Sequence, residues 1–159
     1  MPSHAELLDA YLAGPRAVRT AVADMSPEQL RARPVAGKWS ALEVVCHLAD
    51  FDPIIADRIK RVLSHDRPSL LGADEALFAK TLAYHDRDVN EELTILEVTR
   101  AQLARILRSM PPEAFQRVGV HDERGELTVE KLLTLATNHI PHHVAFLAEK
   151  RQALGLPAV

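Results

Sequence analysis

The amino-acid sequence predicts an all-α fold, a four-helix bundle. Four long segments carry apolar residues at the three- and four-residue spacing of helices that bury one face. Ala, Leu, Glu and Arg, which favour helices, are plentiful, whereas β-branched residues are scattered. Helices of this kind bury their apolar faces against one another, and 159 residues suffice for one such core. We therefore expect one domain over residues 1–159, with long connections and a short turn-rich segment before the last helix.

The first helix is expected to begin after Ser3 and to run to about Met25. Pro15 lies inside this helix, and because proline lacks an amide hydrogen we expect a bend or a brief break there. A short helical turn should follow, with Ser26 as its N-terminal cap and Gln29 closing a capping box.

The second helix has a sharp predicted start. Ser40 is its expected cap, and Glu43 completes a capping box. Pro53 should kink this helix, and Pro68 should end it. The apolar face continues through Leu48, Phe51, Ile55, Ile59 and Val62.

A long connection, residues 67–87, separates the second helix from the third, and a short helix is expected within it over residues 74–83. The third helix should begin near Asp88, with Glu91 as the partner in its capping box, and stop before Pro111.

The fourth helix is expected from Thr128 to Gly155, since glycine suits the position just after a helix. Residues 115–127, which precede it, alternate only weakly between apolar and polar residues and contain the turn-forming segment 122–125. This segment is therefore predicted to be rich in turns.

Composition and charge exclude several classes of protein. The net charge of −3 provides no electrostatic basis for binding nucleic acid. No apolar run approaches the roughly 20 residues that span a bilayer, and the N-terminus does not resemble a signal peptide. A single cysteine, Cys46, cannot form an intrachain disulfide or a cysteine zinc site. We expect a cytoplasmic protein that binds neither membranes nor nucleic acid.

Three histidines occur close together in the fourth helix. A helix turns about 100° per residue, which places His143 within roughly 10° of the centre of the apolar face, His139 about 50° to one side and His142 about 110° away. Two imidazoles four residues apart can share one divalent metal. They are costly to bury without a partner, so we select His139 and His143 as candidate ligands.

A third candidate ligand, His47, lies on the second helix, about 90° from the centre of its apolar face. Such an edge position suits the rim of a bundle better than a buried site. Asp50 is a candidate catalytic residue that could orient an imidazole, hold a metal-bound water or act as a base. A histidine alone on such a helix is more often a core residue, and Asp50 could equally be a solvated acid. His121 is expected to be a solvated loop residue.

Three segments together resemble the DinB/YfiT-like superfamily of metal-binding four-helix proteins. Residues 37–40 and 47–50 resemble that family's Trp-Ser entry into a helix with a metal-binding histidine. Residues 123–128 resemble the turn before its last helix, and residues 138–143 resemble its closing His-x-x-x-His motif. Pro141 departs from the family pattern, in which an ordinary helical residue stands at that position.

The resemblance implies that His47, His139 and His143 form a triad for a divalent metal, zinc or nickel, and that the protein forms homodimers. It also implies one of two activities on a small-molecule substrate, hydrolysis or transfer of a low-molecular-weight thiol. A non-catalytic, stress-related bundle that binds a metal or a small ligand is the alternative, and the fold does not choose among these.

Overall fold

The computed structural model describes residues 3–159 and confirms the four-helix bundle. The four long helices are α1 (His4–Val22), α3 (Ala41–Ser64), α5 (Val89–Arg108) and α6 (Val129–Ala153). Two short helices, α2 (Pro27–Arg31) and α4 (Glu75–Thr81), lie in the connections, as do 3-10 turns at Tyr84–Asp86 and Pro112–Gln116. Helix α1 packs against α5 and α6, and α3 packs against the same two helices. The apolar core therefore lies between two pairs of helices.

The N-terminal caps follow the predicted chemistry. Ser26 and Ser40 form capping boxes with the residues three positions later, and so does Ser3. The cap of α5 differs, because the Asp88 side chain accepts the backbone N–H groups of Asn90 and Glu91. Glu91 thus contributes to this cap through its backbone rather than its side chain.

Pro15 lies inside α1 without breaking it, so the brief break, one of the two expected outcomes, does not occur. Helix α1 is continuous over His4–Val22, and it ends before Met25. Proline leaves the carbonyl four residues earlier, on Tyr11, without its helical donor. Arg100 supplies a replacement, because its Nη1 donates to the Tyr11 carbonyl at 2.7 Å. Gly14 provides the space, since a Cβ there would lie 2.6 Å from Arg100 Nη1.

A small three-stranded sheet covers one end of the bundle and was not predicted. Strand β2 (Val118–His121) pairs in parallel with β1 (Ser69–Leu70) and antiparallel with β3 (Gly125–Thr128). Gly119 in β2 lies against Val62 of α3, where a Cβ would come within 2.7 Å of a methyl group. Strands of two to four residues are too short to show a clear alternation in sequence, and they form here because the sheet packs on α3.

The C-terminal end of α6 confirms the predicted glycine cap. Gly155 has φ of 71°, and its N–H donates to Gln152 O at 3.0 Å. The N–H of Leu156 donates to Arg151 O at 2.9 Å, which completes a Schellman motif. Among the described residues, no helix combines the length and the apolar character needed to cross a membrane.

Candidate metal centre

Three imidazoles from two helices converge on one point. His47 projects from α3, and His139 and His143 project from successive turns of α6. The Nε2 atom of His139 lies 3.0 Å from that of His47 and 3.1 Å from that of His143. The structure therefore brings together the three histidines that the sequence suggested, although His47 and His139 are 92 residues apart along the chain.

His47 is fully buried, so the predicted edge position was wrong. Its exposed fraction is 0%, and every residue over 41–49 is buried. The helical-wheel estimate assumes that one face of a helix is covered. The first half of α3 is enclosed on all sides. A residue there is therefore buried whatever its angle from the centre of the apolar face.

Aromatic rings pack around the imidazoles. The His47 ring lies 5.1 Å from that of Trp39 and 4.6 Å from that of Phe51, and the His143 ring lies 5.5 Å from that of Phe146. The three Nδ1 atoms are buried and have no hydrogen-bond partner among residues 3–159. Packing, rather than a carboxylate behind each ring, therefore orients the imidazoles.

Burial also keeps these imidazoles neutral. It lowers the pKa of His47 to about 3, that of His139 to about 4 and that of His143 to about 3, and neighbouring cationic groups lower them further. A metal binds the neutral form of histidine, so the three lone pairs are available at neutral pH.

The donor set fits a divalent metal. Imidazole–zinc bonds are about 2.0–2.1 Å long, and in a tetrahedral arrangement they separate two nitrogens by roughly 3.4 Å. The observed Nε2 separations of 3.0 and 3.1 Å are close to that value. Nitrogen lone pairs that face one another at this distance repel unless a cation or a proton lies between them. The residues present therefore suit one metal ion with an open coordination position.

We expect the metal-free protein to lose stability as the pH falls from about 7 to about 5. The folded-state pKa of His47 is about 3, below the ordinary value of 6.5 that applies when the chain is unfolded. Between these values the unfolded chain binds more protons than the folded protein, so the free energy of unfolding falls on acidification. The melting temperature as a function of pH measures this effect. His47→Gln should weaken the pH dependence, and an unchanged slope in that variant would contradict the prediction.

Two cavities meet at the histidine cluster. The first cavity has a volume of about 540 Å³ and opens beside His47 and His139. Its apolar wall is formed by Phe51, Ile55, Leu127, Leu132 and Leu135. The second cavity, of about 440 Å³, lies on the side of His143 and is bounded by Trp39 and Phe146. His139, His142, Glu75 and Arg124 line both cavities. Each cavity is large enough for a small organic molecule beside the imidazoles.

Glu75 is a candidate functional residue that sequence reasoning missed. It is the first residue of α4, and its Oε2 lies 3.8 Å from His47 Nε2. Its side chain is 62% exposed, and the residue lines both cavities. A short helix was predicted in this connection, but no local pattern indicated that it would lie over a histidine of α3.

His121 is buried, and the prediction of a solvated loop residue was wrong. It ends β2, its exposed fraction is 4%, and it lines the first cavity. Its Nδ1 accepts the backbone N–H of Glu123 at 3.2 Å. The unpredicted sheet causes this burial. His142, by contrast, is exposed, as its position on the helix indicated.

Asp50 lies outside the lining of both cavities. Its carboxylate forms an ion pair with Arg87 at 2.8 Å and is largely shielded from solvent. Cys46, the neighbour of His47, is fully buried, and burial raises the pKa of its thiol to about 12. A thiol in that state packs in the core and is a poor nucleophile.

Comparison with known proteins agrees with the fold and the motifs. The model of the DinB superfamily matches residues 10–147. A protein of Geobacillus thermodenitrificans named "Putative metal-dependent hydrolase" is 32% identical over 142 residues, which are 89% of this chain and 80% of that protein. "Putative metal-dependent hydrolase YfiT" of Bacillus subtilis is 28% identical over 142 residues, with the same coverage of 89% and 80%.

A solved structure of YfiT from Bacillus subtilis has the same fold. It superimposes with a TM-score of 0.90 and 24% sequence identity, and the match covers 99% of this chain and 94% of that one. It is described as "a probable metal-dependent hydrolase with an unusual four-helix bundle topology". The family match, which spans most of the sequence, and the ordered histidine motifs lead to one conclusion: this chain belongs to the DinB superfamily.

Proposed function

We propose that this protein holds one divalent metal, zinc or nickel, through His47, His139 and His143, and that it hydrolyses a small-molecule substrate. The convergence of three neutral imidazole Nε2 atoms at the edge of two cavities carries this proposal. Imidazole is a good ligand for both metals. The names of the Geobacillus and Bacillus relatives support the same activity.

A divalent metal at this centre would lower the pKa of a coordinated water or thiol towards neutrality. The chain's own residues would exclude water from the substrate and accept the proton. Phe51 and its apolar neighbours in the first cavity exclude bulk water from the substrate. Glu75 can accept a proton at Oε2 from a group held next to His47, because it lies close to that imidazole and remains in contact with solvent.

Asp50 keeps a proposed role, but an indirect one. It lies one helical turn after His47 and is fixed by Arg87. We propose that it positions this part of α3, and that Glu75 performs the direct proton transfer.

Thiol transfer is a second candidate because two cavities flank the same imidazoles. A low-molecular-weight thiol in one cavity and an electrophile in the other would both contact His139. Such a reaction would consume the thiol only when the electrophile is present. A hydrolase would cleave an ester or amide without any thiol.

The test is elemental analysis of the isolated protein, followed by assays with 4-nitrophenyl acetate and with a small thiol plus an aryl halide. We expect about one metal per chain and metal-dependent turnover. Glu75→Gln should reduce turnover by about 100-fold, since a positioned acid or base contributes on that scale, and it should retain the metal. Glu91→Gln, also in the first turn of a helix, is the matched control. If the isolated protein contains no metal, the proposed metal site is wrong. If Glu75→Gln keeps full activity, the proposed role of Glu75 is wrong.

A homodimer and a cytoplasmic location are also proposed. The side chains of Ile95 and Val98 are 41% and 58% exposed and lie three residues apart on α5, where a second copy could cover them. Light scattering that shows a monomer would remove the dimer.

A further inference from the structure

Lys150, in the last turn of α6, is a buried charge without a counter-charge. It is 2% exposed, and its Nζ donates only one hydrogen bond, to the Phe146 carbonyl at 3.4 Å. No carboxylate among residues 3–159 lies within ion-pair distance of its Nζ. Glu43, the buried acid on this side of the molecule, is engaged by Arg33 at 3.0 Å and by the Ser40 N–H at 2.7 Å. Two of the three ammonium hydrogens therefore have no protein acceptor among residues 3–159.

A buried ammonium in this state is unfavourable for the folded protein. The Phe146 carbonyl already accepts the backbone N–H of Lys150 within α6, so it offers only a long, shared bond. The C-terminal end of a helix attracts a cation, but that attraction does not satisfy the remaining donors. The Phe146 ring lies 5.9 Å from the Nζ atom and offers a cation–π contact, but it carries no formal negative charge. Buried lysines without an anionic partner are rare, and the cavity beside this one can admit a ligand that brings the missing charge.

The second cavity is placed to bring that ligand to Lys150. Lys150, Lys38 and Arg124 all line it, whereas Glu75 is the acidic residue of its lining. Trp39 and Phe146 form an aromatic wall, and His139 and His143 of the candidate metal centre also line this cavity. The cavity thus has a net positive lining, a surface for an apolar or aromatic group, and direct access to the candidate metal centre.

We propose that the second cavity binds the carboxylate of a small organic substrate through Lys150, with the apolar body of the substrate against Trp39 and Phe146. The substrate class is then an organic acid whose reacting bond lies next to His139 and His143. This assignment of the ligand as a substrate rests on the proposed function. The binding site itself can be tested without the metal.

Benzoate and benzamide are suitable probes because they differ in charge and hardly in shape. Trp39 is the single tryptophan of the chain and lines this cavity, so its fluorescence reports on a ligand bound there. Full-length protein freed of metal by chelation is titrated with each probe, which prevents benzoate from binding to a metal. We expect saturable quenching by benzoate and at least about tenfold weaker binding of benzamide.

Lys150→Met is expected to weaken benzoate binding at least about tenfold and to leave benzamide binding unchanged. Lys131→Met, an exposed lysine on the same helix, is the matched control and should bind both probes as the unaltered protein does. Unchanged benzoate binding in Lys150→Met, or equal binding of benzoate and benzamide to the unaltered protein, overturns the proposal.

A second variant protects the test if Lys150→Met does not fold. Lys38 is exposed and lines the same cavity, so Lys38→Met should fold and bind benzoate at least about twofold more weakly. Unchanged affinity in that variant would then overturn the proposal.

Metal content is measured separately. If benzoate binding depends on Lys150 but the protein takes up no metal, the proposed function is wrong and the binding site stands. If the protein takes up metal but does not bind benzoate, the binding site is wrong and the proposed function stands.

Discussion

His143→Ala is expected to abolish stoichiometric metal binding. The variant removes one of three imidazole nitrogens that lie within 4.8 Å of one another, and the two that remain cannot hold the ion alone. Loss of groups that merely orient a ligand weakens metal affinity about 10–100-fold, and loss of the ligand itself should cost at least about 100-fold. The same result is expected for His47→Ala, which removes the only ligand on α3.

Elemental analysis and calorimetric titration with zinc and nickel measure this effect. His142→Ala is the matched control, because His142 is the adjacent residue on α6 and lines both cavities but lies outside the cluster of three nitrogens. It should bind metal with nearly unchanged affinity. If His143→Ala retains its metal while His142→Ala loses it, the assignment of ligands is wrong.

Arg100→Met is expected to destabilise the fold by about 3–5 kcal/mol, the usual cost of removing one partner from a buried ion pair. Arg100 is on α5 and is 0% exposed. Its guanidinium contacts all three other long helices, through Tyr11 O of α1, Asp52 Oδ1 of α3 and Ala136 O of α6. The variant would leave the Asp52 carboxylate buried and uncompensated, and the Tyr11 carbonyl freed by Pro15 without a donor.

Thermal unfolding tests this prediction. For a chain of this size the expected loss corresponds to a fall in melting temperature of about 6–20 °C. Arg105→Met, an exposed arginine on the same helix, is the control and should change the melting temperature little. The double variant Arg100→Met with Asp52→Asn should recover part of the loss, because it removes the uncompensated charge. A melting temperature of Arg100→Met within a degree or so of the unaltered protein would contradict the structural role of this residue.

The helices were predictable because their signals are local. The start of α3 follows from Ser40 and Glu43, which are three residues apart, and the end of α6 follows from Gly155. The pairing of His139 with His143 is equally local, since a helix places residues four apart on one side.

The small sheet and the burial of His121 could not be predicted. Strand β1 lies about fifty residues before β2 in sequence, and neither strand is long enough to show a pattern of its own. His121 is buried because that sheet forms on α3, so an error about the sheet produced the error about the histidine. The contact of Glu75 with His47 could not be predicted either, because it depends on how α4 packs over α3 and not on any local sequence pattern.

Residue order alone was enough to establish a helical bundle, its caps and two of the candidate ligands, because each of these depends on neighbours within a turn or two. Packing between segments that are distant in sequence determined which side chains are buried and which charges are paired. It enclosed His47, gave the Tyr11 carbonyl a donor from Arg100, and left Lys150 without an acid. Burial and charge compensation are properties of three-dimensional surroundings, and a periodic pattern records only which face of a helix points inward.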